Sequence, residues 1–67
     1  MSKGKIKEYS SARGSGIIID LETGQELIVY ANYVDLKNGE KLTEGQEVEF
    51  QIENKRGDIW AIDVHIM

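Results

Sequence analysis

The sequence lacks cysteine and proline altogether, and it contains no long apolar run. Without cysteine the chain can form neither a disulfide scaffold nor a thiolate metal site, which fits a reducing compartment. Without proline, no strand is interrupted by a residue that lacks a backbone N–H. No apolar stretch approaches the roughly 20 residues of a membrane span, and the start of the chain has no apolar signal core. These absences predict a soluble, cytoplasmic protein.

Basic and aromatic residues are scarce. Eight Lys and Arg residues stand against twelve Asp and Glu residues, and the aromatics are one Trp, three Tyr and one Phe. With a net charge of −4, the chain lacks the basic excess expected of a strong nucleic-acid binder. The cations Lys3, Lys5, Lys7 and Arg13 nevertheless cluster in the first 13 residues. They indicate either a local positively charged edge on a protein that is acidic overall, or a strand whose lysines are simply exposed to solvent.

Two β-branched runs occupy the centre of the predicted fold. Residues 15–20 and residues 26–30 are each bounded by turn residues, and Thr23-Gly24 between them suits the tight reversal of a hairpin. Branched side chains fit a pleated surface, so both runs are expected to be strands of one antiparallel sheet. Because side chains alternate between faces, the hairpin has an inner and an outer face. The side chains expected on the outer face are Ile17, Ile28 and Tyr30.

Three further strands flank this hairpin. The first covers residues 4–9, where Ile6 alternates with lysines, and it ends in a turn that contains Ser and Gly. The fourth begins at Glu47 and shows the clearest period of two in the chain. A turn at residues 54–58 leads to the fifth. The inward positions predicted for the fourth strand are Val48, Phe50 and Ile52, and those for the fifth are Trp60, Ile62, Val64 and Ile66.

The long connection at residues 31–46 is predicted to be a loop with one short helical turn, because its apolar residues are too few for a full helix. Lys37-Asn38-Gly39 suits a turn within it. Five short strands without a helical period predict one small domain over residues 1–67, closed or nearly closed as a barrel. Closure is the usual way for an all-β chain of this size to avoid exposed strand edges.

The order of motifs along residues 4–64 resembles that of the bacterial cold-shock proteins. Gly4-Lys5-Ile6-Lys7 is similar to the family's opening Gly-Lys-Val-Lys. Arg13-Gly14-Ser15-Gly16-Ile17-Ile18 stands where the family has Lys-Gly-Phe-Gly-Phe-Ile, and residues 26–31 take the place of Asp-Val-Phe-Val-His-Phe. Residues 42–50 follow Leu-x-Glu-Gly-Gln-x-Val-x-Phe almost letter for letter, and residues 56–64 resemble the closing Arg-Gly-Pro-Gln-Ala-Ala-Asn-Val.

This resemblance implies a five-stranded antiparallel OB-type barrel, the cold-shock domain, which binds single-stranded RNA or DNA. Members of the family stack bases on exposed aromatic residues of strands two and three, and each stacked base contributes roughly 1–3 kcal/mol. Most of those aromatics are replaced here. Glu8 stands in place of a Trp, and Ser15 and Ile17 in place of two Phe. Ile28 and Ala31 replace two more Phe, and the family's loop Phe has no counterpart.

Eight residues are nonetheless expected, from the resemblance, to contact nucleic acid. Lys7 and Arg13 suit phosphate contacts, and tyrosine rings suit stacking. Losing about four stacking partners at about 1 kcal/mol each weakens binding about a thousandfold, and Glu8 adds a negative charge where the ligand approaches. We therefore predict weak binding without strong sequence preference. The predicted contact residues are Lys7, Tyr9, Arg13, Ser15, Ile17, Ile28, Tyr30 and Tyr33.

The same face also suits a different partner. Ile17, Ile19 and Ile28 would form an aliphatic patch, and exposed apolar patches often mark protein contacts. The alternative hypothesis is therefore a barrel that binds another protein, or pairs with itself as a homodimer, through this patch. Tyr30 is consistent with both hypotheses, since an aromatic on a strand face either stacks a base or packs against its cross-strand neighbours.

Catalysis and metal binding find no support in the sequence. The serines near the start of the chain have no base with an orienting carboxylate beside them, so we expect neither an enzyme nor a cofactor. His65 is not accompanied by the three or four ligands that a metal site needs, and it is expected on the surface. Trp60 shares the register of the predicted core of the fifth strand, so it is expected to be buried rather than to stack on a base.

Overall fold

The structure is a computed structural model that describes residues 2–37 and 39–67. Asn38, the middle residue of the predicted 37–39 turn, therefore lies outside the described residues. The strands have the following bounds: β1 Ser2–Ser10, β2 Ser15–Asp20, β3 Glu26–Tyr30, β4 Glu47–Lys55 and β5 Asp58–Ile66. A short 3₁₀ turn, Ala31–Tyr33, follows β3 directly. It confirms the helical turn predicted for the long connection.

The five strands close into a barrel in the order β1-β2-β3-β5-β4. This confirms the all-β, five-stranded OB-type barrel predicted from the sequence. The pairings β1–β2, β1–β4, β2–β3 and β4–β5 are antiparallel. The pairing of β3 with β5 is parallel, through Ile28 opposite Trp60 and Val29 opposite Ala61, and the prediction of an antiparallel sheet did not include it. Parallel neighbours need a long crossover, which the segment containing β4 provides.

The interior of the barrel is filled by apolar side chains from every strand. Burial of one such Val, Leu, Ile or Phe side chain contributes about 1.5–3 kcal/mol. In β1, β2 and β3 the buried residues follow the predicted alternation, so the alternate side chains of the same strands lie on the outer face. The core consists of Ile6, Ile18, Leu27, Val29, Leu42, Val48, Phe50, Ala61 and Val64.

Two glycines allow β1 to lie unusually close to its neighbours. A Cβ atom on Gly16 would lie 2.8 Å from Cα of Tyr9 and would also collide with the carbonyl oxygen of Glu8. A Cβ atom on Gly4 would lie 2.6 Å from the carbonyl oxygen of Ile19. Both contacts involve backbone, which cannot move aside cheaply. Glycine at these positions therefore sets the spacing of β1 and β2, and with it the shape of the outer surface above them.

The inward positions predicted for β5 are wrong in the part of the strand that precedes Asp63. Asp63 has a φ of 51°, and the pairing of β4 with β5 shifts register beside it, from Glu49 opposite His65 to Gln51 opposite Ile62. An extra residue in one strand reverses the alternation beyond it. Ala61 is consequently buried in place of Ile62, which is half-buried, and Trp60 is directed to the outer face.

Ile52 was predicted to point into the core, and this is also wrong. Among the described residues, β1 pairs with β4 no further than Ser2 opposite Phe50. Beyond Phe50, β4 has β5 as its neighbour on one side and solvent on the other. Ile52 is therefore 43% exposed, although it pairs with the buried Ala61. The β4–β5 hairpin extends beyond the pairing of β5 with β3 through its last two pairs, Asn54 with Ile59 and Lys55 with Asp58. It ends in the turn at Arg56 and Gly57, which both have positive φ as in a type I′ turn.

Candidate nucleic-acid interface

The centre of the candidate interface is the outer face of β2 and β3. Their register places Ile17 opposite Ile28 and Ser15 opposite Tyr30, and directly opposed residues of antiparallel strands project from the same face. The next pair, Ile18 and Leu27, is buried inside the barrel. Ile28 is 46% exposed and Tyr30 43% exposed, while Ile17 is half-buried. The three side chains lie on the outer face, as the alternation predicted.

These side chains border an open depression of about 610 Å³, which we call the β2 hollow. This volume falls within the range of roughly 300–1,000 Å³ that is usual for small-molecule sites. Six of the eight predicted contact residues line it, and Ile19, part of the predicted aliphatic patch, does not. The residues of the β2 hollow are Glu8, Tyr9, Ser10, Arg13, Ser15, Gly16, Ile17, Ile28 and Tyr30.

Lys7 does not line the β2 hollow. The pairing of β1 with β2 shifts register between Ile6 and Glu8, so Lys7 is an extra residue in a β-bulge. Its Nζ atom lies 2.9 Å from Oε2 of Glu26. The hydrogen bond and the charge of Glu26 raise the pKa of Lys7 above its ordinary value. The positive charge of Lys7 is therefore engaged by a carboxylate of the protein itself.

Glu8 is the other consequence of the bulge in β1. It lies opposite Ile17, lines the β2 hollow and is exposed. A carboxylate at this position repels phosphate and offers no ring for stacking. The following residue, Tyr9, turns towards the barrel and packs against its core while one side still borders the hollow. Tyr9 therefore packs at the rim of the barrel and presents only part of its ring to the hollow.

Arg13 supplies the positive charge of the β2 hollow. It belongs to the turn between β1 and β2, where its backbone N–H donates to Oγ of Ser10 at 3.3 Å. The N–H of Ala31 donates to the carbonyl of Gly14 at 2.8 Å, which ties this turn to the end of β3. Within residues 2–37 and 39–67 no carboxylate forms a salt bridge with Arg13. These hydrogen bonds fix the backbone of the turn beside the end of β3, and the charge of Arg13 remains available to an anion.

A second depression, of about 500 Å³, lies on the other side of β3. We call it the β5 hollow, and it shares Ile28 and Tyr30 with the β2 hollow. Tyr33, the eighth predicted contact residue, lies here and is 45% exposed. Trp60 also lines it, which the sequence prediction missed because it placed this side chain in the core. The residues of the β5 hollow are Ile28, Tyr30, Tyr33, Asp58, Ile59 and Trp60.

The described part of the chain contains neither a group of metal ligands nor a membrane-spanning helix. No group of three or more His, Asp or Glu side chains there is arranged to hold a metal ion. His65 is half-buried near the surface, with Nε2 at 3.5 Å from Oε1 of Glu49. The described residues also contain no helix with the length and apolar character needed to cross a membrane.

The sequence and the fold match known proteins along nearly the whole chain. The sequence model of the "Cold-shock" DNA-binding domain family matches residues 2–67. The chain is 33% identical over 63 residues to the cold shock-like protein CspA of Rickettsia typhi, covering 94% of this chain and 90% of that protein. It is 36% identical over 58 residues to the cold shock protein CspD of Bacillus subtilis, covering 85% of this chain and 86% of that protein.

Among solved structures, the Drosophila Unr CSD456 structure superimposes with a TM-score of 0.82. The match covers 98% of this chain and 26% of that chain, at 20% identity, so it supports the fold alone. Proteins of the family bind nucleic acid and are not enzymes, which confirms the prediction that this chain has no catalytic activity. Because the family's sequence model spans residues 2–67 and these relatives align along most of their own lengths, the chain belongs to the cold-shock domain family.

Proposed function

We propose that this protein binds single-stranded nucleic acid, RNA or DNA, weakly and without strong sequence preference, in the β2 hollow. The observation that carries the proposal is the row of Ile17, Ile28 and Tyr30 on the outer face of paired strands, with Arg13 at its edge. Stacking and apolar contact suit any base, because every base has a π-face. The absence of cysteine from the chain fits a cytoplasmic location for this activity.

The composition of the β2 hollow supports weak binding. Tyr30 offers a stacking ring, Tyr9 offers part of one, and the isoleucines offer apolar contact without a π-face. Each missing stacking partner costs roughly 1–3 kcal/mol. The protein therefore needs a higher nucleic-acid concentration than a barrel with aromatic residues at positions 8, 15, 17 and 28.

The charges in and beside the hollow also keep affinity low. Arg13 attracts phosphate, Glu8 repels it, and Lys7 is held by Glu26. For single strands, the slope of log K against log salt is about −0.7 per neutralised phosphate. With Arg13 as the main cation we expect a slope near −0.7, much shallower than that of a strongly basic binder.

Titration with single-stranded octathymidylate or octauridylate, followed by amide NMR, tests the proposal. At low salt we expect shifts at residues 15–19 and 28–30, and we expect these shifts to diminish as salt is added. The amides of residues 43–46, in the connection before β4, serve as an internal control, since these residues line neither hollow. If no amide shifts at millimolar oligonucleotide, the proposal is refuted.

The exposure of Ile28 favours a second candidate, in which the same face binds a protein or a second copy of this chain. Sedimentation of the purified protein over a range of concentrations measures self-association directly. Ile28→Asp should abolish a dimer formed through this face, whereas Ile52→Asp, an equally drastic change of an exposed isoleucine elsewhere, should not. A protein that stays monomeric and binds oligonucleotide counts against this candidate.

A further inference from the structure

We propose that the β5 hollow is a second base site, in which Trp60 stacks on an unpaired base of the same strand that occupies the β2 hollow. The inference rests on the proposed function and extends it to a surface that the sequence assigned to the interior. It gives the protein a replacement for stacking partners that β1 and β2 lack.

The orientation of Trp60 is set by its pairing partner. Trp60 lies opposite Ile28, and Ala61 lies opposite Val29. Val29 and Ala61 are both fully buried, so the alternate pair of Ile28 and Trp60 projects from the outer face. The indole is thus a direct neighbour of a side chain that lines both hollows.

The part of Trp60 that reaches the surface is aromatic carbon. Nε1 is the only polar atom of the side chain, and it is buried without a hydrogen-bond acceptor among the described residues. Because the residue as a whole is only half-buried, the side chain exposes ring carbon rather than its N–H. Exposed ring carbon supports stacking, which does not depend on base identity.

Three aromatic residues surround the β5 hollow. Tyr30 comes from the end of β3, Tyr33 from the 3₁₀ turn and Trp60 from β5. Tyr30 and Tyr33 are 43% and 45% exposed. The β2 hollow, by comparison, has Tyr30 and the partly covered Tyr9. Aromatic surface is therefore richer on the β5 side of β3 than on the β2 side.

The charge of the β5 hollow favours a base over a phosphate group. Of the described residues that line it, Asp58 is the charged one, and it is acidic and exposed. A carboxylate repels phosphate but accepts a hydrogen bond from an N–H on a base edge. A strand is therefore expected to direct its base into the β5 hollow and its backbone towards solvent.

The two hollows are continuous, because Ile28 and Tyr30 line both. A strand that leaves Arg13 and the outer face of β2 meets Tyr30 of β3 next and then Trp60 of the adjacent β5. This continuity makes the next nucleotide of the same strand the natural occupant of the β5 hollow.

Fluorescence of Trp60 tests the inference in the wild-type protein, because the sequence contains a single Trp. Octathymidylate should quench this fluorescence over the same concentration range that shifts the amides of residues 15–19. Amide shifts in β2 without a change in fluorescence would overturn the second site and leave the proposed function standing. The absence of both signals would instead overturn the proposed function.

A pair of substitutions separates stacking from general packing. Trp60→Leu keeps an apolar side chain without a π-face, and we expect it to weaken octathymidylate binding about 5- to 150-fold. Trp60→Phe keeps a ring and should retain most of the affinity, while Ile52→Leu, outside both hollows, should bind like wild type. Amide dispersion checks that each variant is folded. Wild-type affinity in a folded Trp60→Leu variant would overturn the inference.

Discussion

The two hollows lie on either side of β3 and share two residues, yet they differ in chemistry. The β2 hollow combines isoleucines with one cation and one carboxylate, Arg13 and Glu8. The β5 hollow combines Tyr33 and Trp60 with Asp58. One side therefore combines a positive charge with apolar surface, and the other is richer in aromatic rings. The comparison shows that a barrel can lack aromatic residues at positions of β1 and β2 and still have aromatic surface beside β5.

Both hollows depend on irregular backbone. In β1, the bulge at Lys7 puts Glu8 opposite Ile17 and into the β2 hollow. In β5, the positive φ of Asp63 accompanies a register shift that turns Trp60 outward. On the proposed binding surface, one bulge thus adds a negative charge and the other adds an aromatic ring. Side-chain direction beyond a bulge follows from the count of inserted residues rather than from hydrophobicity.

Replacing Glu8 by Trp should have the largest effect, because it would make the β2 hollow aromatic as well. The variant gains one stacking partner and loses one repulsive charge. We expect octathymidylate to bind about 5- to 150-fold more tightly, as measured by fluorescence or NMR titration.

Glu8→Gln is the matched control, since it removes the charge without adding a ring. A gain in Glu8→Trp that Glu8→Gln reproduces in full would assign the effect to charge. No gain in either variant would show that nucleic acid does not pass through the β2 hollow.

Replacing Asp63 by Val should reduce the difference between the two hollows by changing the β5 hollow, because it destabilises the bulge that exposes Trp60. A β-branched residue tolerates the left-handed conformation poorly, at a cost of roughly 1–2 kcal/mol, whereas Asn tolerates it well. We therefore expect Asp63→Val to lower the free energy of unfolding by about this amount in urea denaturation, and Asp63→Asn to leave it nearly unchanged. Equal stability of the two variants would mean that the backbone at residue 63 is not constrained in this way.

Replacing Glu26 by Gln should have the smallest effect, by releasing Lys7 next to the β2 hollow. Exposed ion pairs are weak because water and salt screen them, so a new contact of Lys7 with phosphate should strengthen binding by at most about fivefold. The slope of log K against log salt should become steeper by about 0.7. Glu44→Gln, the same substitution at an exposed position outside both hollows, is the control for net charge and should leave the slope unchanged.

The titration of Lys7 gives a second measurement on the Glu26→Gln variant. The hydrogen bond and charge of Glu26 raise the pKa of Lys7 above its ordinary value of 10.5. The ion pair is therefore fully formed below pH 10.5 and is lost as pH rises through the higher pKa of the folded protein. NMR of the Lys7 side chain should show a lower pKa in the variant. An unchanged pKa would mean that the pair does not persist in solution.

Much of the fold could be predicted from local sequence, because regular strands repeat with a period of two. The bounds of β2 and β3, the burial of Leu27 and Val29 and the outward direction of Ile28 all follow from that period. The OB-type barrel was predicted from the order of motifs. The contact roles of the eight predicted residues remain predictions, although the structure brings seven of them to the two hollows.

The errors have physical causes that lie outside any single strand. Ile52 is exposed because its strand continues beyond the pairing with β1, which depends on the relative lengths of two distant segments. Trp60 is on the surface because of the bulge at Asp63, and the sequence shows there only an Asp between two apolar residues, Ile62 and Val64. Lys7 is paired with Glu26, 19 residues away along the chain. Periodicity carries no information on any of these three relations.

By itself, the sequence determined the number of strands, their positions along the chain, most of the core and the family of the protein. These features depend on side-chain alternation, turn residues and motif order, which are properties of short segments. The tertiary structure decided which side chains share a surface: Tyr33 and Trp60 beside Ile28, Glu8 beside Ile17, and Lys7 beside Glu26. These relations depend on register, bulges and the parallel closure of β3 on β5, which arise only when distant strands meet.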